Sequence, residues 1–231
     1  CRKNCGAGIM TDVVLYDYWR SSASYRLRIA MNLAGISYQS VSVDLLKGEH
    51  KTEAYLNRNP QGLVPVLEID GYSMTQSLAI LEYLNDTREI TLISTDPVSA
   101  AQERAIAHAI AVDINPVCNV SVAAYAVQQS GRDETRVEWM QRFIAPGLTA
   151  VETMLNMRPK TAFAHGDAPG LIDICIMPQL YNADRWGVDI STHTNIMRIA
   201  ENCAAYPAFQ AAHPDAVKPS KYLISASSPS L

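Results

Sequence analysis

The sequence predicts a protein of two domains that differ in class, an N-terminal α/β domain and a C-terminal domain made only of helices. Residues 11–87 alternate short apolar segments with helical patterns, in the order βαβ and then ββα. Residues 88–97 turn to Arg, Thr, Ser and Asp and end in a proline, which is typical of a linker. Residues 98–222 carry long, alanine-rich helical patterns and predict no strand.

The α/β domain is predicted to begin with a βαβ unit. Residues 13–16 form an apolar run that predicts the first strand, and a helical pattern with apolar Leu27 and Ile29 follows. Gly35 is placed to end that helix, because glycine readily adopts the left-handed conformation found at helix C-termini. Residues 38–43 then alternate into a second strand, so strand, helix and strand follow one another.

A β-hairpin and a further helix complete the α/β domain. Residues 64–69 and 72–74 are strand-like, and Asp70-Gly71 between them is the dipeptide most typical of a tight hairpin turn. We therefore expect these two strands to be antiparallel. Pro65 has no N–H for a sheet, which predicts either an edge position or a cis bond to Val64. Gln76-Ser77 then opens a helical pattern.

The second domain is predicted to contain only helices. Pro116 is expected to kink the first of them, and Gly131 is expected to separate it from the next. Gly170 brings no capping side chain to the helix that follows, but Asp173 preserves half of a capping box. The predicted helices cover residues 99–127, 134–157, 171–184, 195–203 and 207–212.

Composition and charge exclude several classes of partner. Of the 231 residues, 48% are apolar, which is enough for a packed core. The formal net charge of -4 argues against nucleic acid, because domains that bind it present a basic face. No segment reaches the roughly 18 consecutive apolar residues of a membrane span, and the N-terminus lacks an apolar signal core. We therefore expect a cytoplasmic protein with no nucleic-acid or membrane partner.

The cysteines do not form a recognisable disulfide or metal framework. They are five, at Cys1, Cys5, Cys118, Cys175 and Cys203. Because the number is odd and the spacing is wide, we expect reduced thiols. The first two have no second Cys or His pair at zinc-ligand spacing, so no metal site is predicted. Residues 1–10 and the serine-rich tail 223–231 are expected to be disordered.

The stretch 16–30 is the strongest candidate for chemistry. It passes from the first predicted strand through Ser21 and Ser22 into the first predicted helix. A helix N-terminus leaves backbone N–H groups unpaired and carries a partial positive charge, so a serine there can hold a thiolate, a phosphate or a carboxylate. The alternative is that one of these serines only caps the helix.

Residues 21–30 form the most specific motif in the chain, Ser-Ser-Ala-Ser-Tyr-Arg-Leu-Arg-Ile-Ala. Five further motifs accompany it: Asn59-Pro60, Gln76-Ser77-Leu78-Ala79-Ile80, Asn115-Pro116, Asn119-Val120-Ser121 and Asn182-Ala183-Asp184-Arg185-Trp186. Together, between residues 13 and 214, these motifs resemble the zeta class of the glutathione transferases, the maleylacetoacetate isomerase family. One departure stands out, because that family has a cysteine where this chain has Ala23.

The resemblance implies the glutathione transferase fold, in which a thioredoxin-like domain precedes an all-helical domain. It also implies glutathione as cofactor, no metal, a homodimer and a small dicarboxylic acid as substrate. The implied reaction is the cis–trans isomerisation of maleylacetoacetate to fumarylacetoacetate in the breakdown of tyrosine, phenylalanine or a related aromatic acid. Three alternatives stay open: maleylpyruvate isomerisation, glutathione transferase activity on α-haloacids such as dichloroacetate, and a transferase-like binding module without catalysis.

The resemblance assigns roles within the first predicted turn. Ser21 is implied as the main hydrogen-bond donor to the glutathione thiolate and Ser22 as a supporting donor, although the sequence alone does not rank them. Arg20 adds a positive charge beside them and is a candidate for both catalysis and substrate binding. Ala23 lines the same site in place of the family's cysteine. Isomerisation should survive this replacement, because the serine donors remain.

The resemblance implies further glutathione contacts in the α/β domain. Gln76 and Ser77 are implied to bind the γ-glutamyl end, with Ser77 as a simple N-cap as the alternative. Val64, next to Pro65, is implied to pair its backbone with the cysteinyl amide of glutathione. His50 is implied to reach the glycyl end, whereas a loop histidine would otherwise be expected in solvent.

Three polar residues of the helical domain are implied to complete the glutathione site. Asn115, Asn119 and Ser121 flank the kink predicted at Pro116, and the resemblance places them near glutathione. A kink frees backbone groups, so the alternative is that these side chains only satisfy those groups.

Arg185 is implied to bind a carboxylate of the substrate, because the planar guanidinium matches that group. The alternative is a surface salt bridge to Asp184 or Asp189. Val120 and Ser121 stand where relatives that act on maleylpyruvate carry arginines. This difference favours maleylacetoacetate as the substrate.

Overall fold

The structure is a computed structural model, and it describes residues 13–222 apart from the side chain of Lys221. The first domain contains the strands β1 (Val14–Asp17), β2 (Gln39–Ser42), β3 (Val66–Ile69) and β4 (Tyr72–Thr75). They form one sheet in the order β2-β1-β3-β4. Strand β1 is parallel to β2 and antiparallel to β3, which is antiparallel to β4. The predicted extension 1–10 and tail 223–231 lie outside the described residues.

The helices of the first domain are α1 (Ser22–Leu33), α2 (Glu53–Leu56) and α3 (Ser77–Thr87), with a 3₁₀ turn at Glu49–Lys51. The predicted hairpin is confirmed, since Asp70 and Gly71 both have positive φ angles, 54° and 80°, as a tight two-residue turn requires. The bond between Val64 and Pro65 is cis, which was one of the two predicted possibilities. The predicted α/β fold of this domain is therefore confirmed.

The second domain is helical, as predicted. It contains α4 (Pro97–His108), a π-helical turn (Ala109–Ile114), α5 (Asn115–Val117), α6 (Val120–Ser130), α7 (Thr135–Asn156), α8 (Leu171–Arg185), α9 (Thr194–Ala204), α10 (Pro207–Ala212) and a 3₁₀ turn (Ser220–Tyr222). Helix α8 is the most deeply buried of these and packs against α1 of the first domain. The two domains therefore share one hydrophobic core.

The prediction of one helix over residues 99–127 with a kink at Pro116 is wrong in detail. The chain leaves the helical conformation at Asn119, which is extended with φ -64° and ψ 148°. The 41° bend between Pro97–Val117 and Val120–Ser130 therefore lies after the proline. Ile114 and Asn115, the two residues before Pro116, keep helical backbone angles, so the proline does not end the helix.

The start of α8 explains why glycine occupies position 170. The Asp173 carboxylate accepts hydrogen bonds from the backbone N–H of Gly170 at 2.8 Å and of Ala164 at 2.9 Å, which confirms the predicted half of a capping box. A Cβ atom at Gly170 would lie 2.9 Å from the backbone oxygen of Leu92. A capping serine or threonine would therefore clash with the segment that joins the domains.

Arg28 anchors the turn between β1 and α1 from inside the core. Its side chain is fully buried, and its Nη1 donates to both carboxylate oxygens of Asp17, at 2.9 and 2.7 Å. Its Nη2 donates to the backbone oxygen of Trp19 at 2.9 Å, and its Nε donates to that of Ala212 at 3.0 Å. Through these bonds Arg28 connects the turn between β1 and α1, which carries Ser21 and Ser22, to the end of α10.

The described residues were predicted to hold no membrane span and no metal site. Within residues 13–222 no single helix is long and apolar enough to cross a bilayer; the bent pair Pro97–Val117 and Val120–Ser130 reaches that length and composition only when the two parts are combined. In the same part of the chain no three His, Cys, Asp or Glu side chains come together in a way that would hold a metal ion. Cys118, Cys175 and Cys203 are buried free thiols.

Candidate active site

Ser21 and Ser22 lie at the N-terminus of α1, at the end of the turn that leaves β1. Ser21 is the N-cap residue, with φ -67° and ψ 121°, and its Oγ accepts a hydrogen bond from the N–H of Ser24 at 3.2 Å. Ser22 is the first helical residue, and Ala23 follows it; all three side chains are half-buried. Capping is therefore a real role of Ser21. Because the cap uses only the oxygen, the hydroxyl hydrogen of Ser21 stays available for an anion.

Arg20 is held beside this turn by aromatic side chains. Its Nη2 donates to the Tyr18 hydroxyl at 3.1 Å, and its guanidinium carbon lies 4.8 Å from the centre of the Trp19 ring. The Trp19 ring is in turn 5.3 Å from the Lys218 ammonium and 5.9 Å from the Tyr222 ring. The C-terminal segment thus supports the position of Arg20 through an aromatic contact.

Arg185 is the last residue of α8, and its guanidinium lies 4.8 Å from the centre of the Trp186 ring. No ion pair joins it to Asp184 or Asp189 in the described part of the chain, so the structure does not support the salt-bridge alternative. Neighbouring atoms remove part of its hydration and lower the pKa of its guanidinium, and the charge of Arg20 lowers that pKa further. Two repelling guanidinium groups near each other form a region suited to an anion.

Gln76 and Ser77 lie where β4 passes into α3. Gln76, and not Ser77, is the N-cap residue; it has a φ of 68°, and its side chain makes no capping bond. The reading of Ser77 as an N-cap is therefore wrong. The exposed Gln76 donates from Nε2 to Oε1 of Gln61 at 2.7 Å. A positive φ at a residue other than glycine is strained, and such strain clusters at functional sites.

Val64 and His50 lie on loops next to the sheet. Val64 is half-buried, and the backbone oxygen of Leu63 before it accepts hydrogen bonds from Tyr55 Oη at 2.8 Å and Asn59 Nδ2 at 2.7 Å. These bonds fix the loop that ends in the buried Pro65. His50 is half-buried in a 3₁₀ turn, and its Nδ1 has no hydrogen-bond partner within residues 13–222.

The protonation of His50 is shifted by its surroundings. Burial lowers the pKa of its imidazole from the ordinary value near 6.5, and the positive charge of Lys51 lowers it further. The neutral form is therefore favoured at neutral pH. A neutral imidazole donates one hydrogen bond and accepts another, so it can still meet a carboxylate as a donor.

Of the three polar residues predicted to complete the site from the helical domain, the structure connects one to the other site residues and leaves two apart. Asn115 accepts a hydrogen bond at its Oδ1 from Nη2 of Arg26 at 3.1 Å, and Arg26 Nε also donates to the Ser77 hydroxyl at 3.1 Å. Asn119 is the half-buried N-cap of α6 without a side-chain cap bond, and Ser121 is exposed on the next turn. Within residues 13–222 no hydrogen bond joins Asn119 or Ser121 to another predicted site residue. Only Asn115 is thus brought to the other residues by a direct chain of contacts.

Arg26 is a residue that the sequence interpretation did not single out. It belongs to the motif at 21–30, but an arginine in a helical pattern is ordinarily expected in solvent. Its side chain is only 3% exposed, and it connects Ser77 in the first domain to Asn115 in the second. Its position inside a run that includes Leu27, Ile29 and Ala30 was the available sign of burial.

Comparison with known proteins points to one family. Residues 11–86 match the family model described as "Glutathione S-transferase, N-terminal domain". The maleylacetoacetate isomerase of Rhizobium meliloti is 53% identical over 210 residues, which cover 90% of this chain and 99% of that protein. The maleylacetoacetate isomerase of Mus musculus is 40% identical over 204 residues, which cover 87% of this chain and 92% of the mouse protein.

Solved structures agree with these relatives. The holo structure of a bacterial maleylpyruvate isomerase, a zeta-class glutathione S-transferase, superimposes with a TM-score of 0.85 at 35% identity and covers 88% of this chain and 97% of its own. The maleylacetoacetate isomerase of Anaeromyxobacter dehalogenans with bound glutathione gives a TM-score of 0.80 at 40% identity, covering 89% and 96%. With the motif at 21–30, the mixed sheet and the helical domain in place, these near full-length matches show that the chain belongs to the zeta class of the glutathione transferases, the family of the maleylacetoacetate isomerases.

Proposed function

We propose that this protein is a glutathione-dependent maleylacetoacetate isomerase. The observation that carries the proposal is the 53% identity to the Rhizobium meliloti enzyme over 99% of that enzyme's length. The position of Ser21 at the N-terminus of α1, directly after Arg20, supports the same chemistry, and the charge of Arg20 also acts on Arg185. In this proposal the substrate is a small dicarboxylic acid, and glutathione is a cofactor that is regenerated in each cycle.

The first requirement is a thiolate. A free thiol has a pKa near 8.5, so only a small fraction ionises at neutral pH. Ser21 accepts from the Ser24 N–H and keeps its own hydrogen, which is free to donate to the sulfur. The unpaired N–H groups of the first turn of α1 and the charge of Arg20 also favour the anion. Ser22 is the second hydroxyl at this position.

The proposed cycle balances without an added oxidant or net proton. The thiolate forms a C–S bond to one alkene carbon, and the π electrons move onto the conjugated carbonyl oxygen as an enolate. The former double bond is now a single bond and rotates. The enolate then re-forms the carbonyl and the alkene in the trans geometry and expels the thiolate. In this cycle Arg20 and Arg185 stabilise the negative charge on oxygen and hold the carboxylates.

A second candidate substrate is maleylpyruvate. The relative with the TM-score of 0.85 is a maleylpyruvate isomerase, so the fold alone does not separate the two substrates. Val120 and Ser121 begin α6 and bring no positive charge where maleylpyruvate-specific relatives are expected to carry arginine. We therefore rank maleylacetoacetate first.

The proposal extends to assembly and location. We expect a cytoplasmic homodimer, because the glutathione transferases usually dimerise, and we expect the alanine-rich helix α4 to supply the surface. Sedimentation velocity should give twice the monomer mass, and a monomer at micromolar concentration would contradict the dimer.

The experiment that tests the proposed function is a substrate panel. The purified protein is assayed with maleylacetoacetate, maleylpyruvate and dichloroacetate, each with and without glutathione. We expect the highest kcat/KM for maleylacetoacetate and no turnover without the cofactor. Negligible isomerisation together with rapid dehalogenation would replace the proposal by a haloacid transferase. Failure to bind glutathione in calorimetry would indicate a non-catalytic module.

A further inference from the structure

Arg26 is a buried cation without a counter-ion. Its side chain is 3% exposed, and no carboxylate of the described residues lies within 4.0 Å of it. Arg28, two residues later, is equally buried but is paired with Asp17. Burial of an unpaired charge is costly, and an apolar side chain of similar volume would ordinarily be more stabilising. The position of Arg26 therefore calls for a role beyond packing.

The hydrogen bonds of Arg26 point to that role. Its Nε donates to Ser77 Oγ at 3.1 Å, and its Nη2 donates to Asn115 Oδ1 at 3.1 Å. Ser77 is the first residue of the eleven-residue helix α3 and is 5% exposed. Asn115 comes from the other domain, directly after the π-helical turn. The guanidinium of Arg26 therefore contacts two polar side chains, Ser77 and Asn115, that come from two different domains.

We propose that Arg26 is the positioning residue of the glutathione site, which orients Ser77 and Asn115 as donors and places a positive charge behind them for the α-carboxylate of the γ-glutamyl group. The inference rests on the proposed function, in which glutathione binds at Gln76 and Ser77. The inference adds Arg26 as the residue that gives the γ-glutamyl end of the site its preference for an anion.

The hydrogen-bonding capacity of the three side chains fixes which atoms of Ser77 and Asn115 remain free to donate. A guanidinium only donates, so Ser77 must offer its oxygen to Arg26, and its single hydrogen is left to donate elsewhere. Asn115 likewise must turn its carbonyl oxygen toward Arg26, which leaves its two N–H donors pointing away. A hydroxyl that accepts from a cation is also polarised and becomes a stronger donor. The positive end of α3 acts in the same direction as the charge of Arg26.

The test compares two tripeptides on two variants. Calorimetry measures the Kd of glutathione and of an analogue that lacks only the α-carboxylate of the γ-glutamyl group. In Arg26→Met we expect glutathione to bind about 10- to 100-fold more weakly, the range of a lost charge-assisted hydrogen bond, and the analogue to bind as it does to wild type. The matched control is Arg58→Met, an arginine that is 42% exposed and lies over the Tyr16 ring, which should leave both affinities unchanged.

The outcomes separate this inference from the proposed function. If Arg26→Met weakens both tripeptides equally, Arg26 only supports the structure and the inference is overturned. If wild type binds no glutathione, the proposed function fails together with the inference. Should Arg26→Met fail to fold, Arg26→Lys decides the matter, because a lysine keeps the positive charge but lacks the planar guanidinium that donates to both Ser77 and Asn115. Arg26→Lys should retain only part of the preference for the carboxylate, and full retention of that preference overturns the inference.

Discussion

Replacement of Ser21 by alanine tests the two roles that the structure gives to one hydroxyl. Loss of the N-cap bond to the Ser24 N–H should lower the free energy of unfolding by about 1 kcal/mol, the usual worth of a serine cap. For a chain of this size that corresponds to a melting temperature about 2–4 °C lower. Loss of a hydrogen bond to an anion is worth about 1.5–3 kcal/mol, so the pKa of the bound glutathione thiol should rise by about 1–2 units.

The kinetic consequence of that pKa shift can be calculated. When the pH lies below the thiol pKa, each unit of increase lowers the thiolate fraction tenfold, so turnover at neutral pH should fall about 10- to 100-fold. The pKa itself is read from the ultraviolet absorbance of the thiolate in the glutathione complex as the pH is raised. Ser22→Ala is the matched control for the cap. Because Ser22 makes no capping bond, this variant should not show the fall in melting temperature of about 2–4 °C expected for Ser21→Ala.

A Ser21→Ala variant with the wild-type thiol pKa and wild-type turnover would show that Ser21 only caps the helix. If Ser22→Ala instead produced the shift in thiol pKa, the donor role would pass to Ser22 while the cap assignment for Ser21 stayed intact.

Three further predictions concern Arg28, His50 and Asp173. Arg28→Met leaves the buried Asp17 carboxylate unpaired and should lower the free energy of unfolding by about 3–5 kcal/mol in urea titrations. The double variant that also carries Asp17→Asn should regain part of this lost stability. If the stability losses of the two single variants simply add in the double variant, the buried ion pair is contradicted. The lowered pKa of His50 means that the folded state binds its proton more weakly than the unfolded state, so His50 costs stability as the pH falls below about 6.5. A bound glycyl carboxylate favours the protonated imidazole of His50, so glutathione affinity should increase as the pH falls. His50→Gln should make glutathione affinity less dependent on pH in calorimetry, and the same pH dependence in both proteins would remove His50 from the site. Asp173→Ala leaves the Gly170 N–H without its acceptor and should cost about 2–4 kcal/mol in thermal melts, whereas a change below about 1 kcal/mol would contradict the capping role.

Local chemistry predicted much of the first domain. The Asp70-Gly71 turn follows from the conformational limits of its two residues, so no knowledge of the tertiary structure was needed. The missing N–H of Pro65 predicted only that the bond before it is cis or that it lies at a sheet edge, and the structure has the cis bond. The half capping box at Asp173 is likewise a local pattern. These features place β3, β4 and the start of α8.

The tertiary part of the site was not predictable in the same way. Arg26 has the local pattern of any helical arginine, and its two side-chain partners, Ser77 of α3 and Asn115 of α5, come from two domains. The chain leaves the helical conformation at Asn119, and α6 beyond it packs against α7. The effect of proline on helices predicted the bend three residues earlier, at Pro116. The positive φ of Gln76 also depends on how β4 meets α3, since glutamine has no local preference for it.

In the proposed cycle glutathione is a cofactor of isomerisation, and counting the substrate molecules converted per glutathione tests this role. Maleylacetoacetate is supplied in large excess over glutathione, and both the fumaryl product and the free thiol are followed over time. We expect many turnovers per glutathione, with the free thiol concentration unchanged at the end. One adduct formed per glutathione consumed, with no fumaryl product, would contradict it.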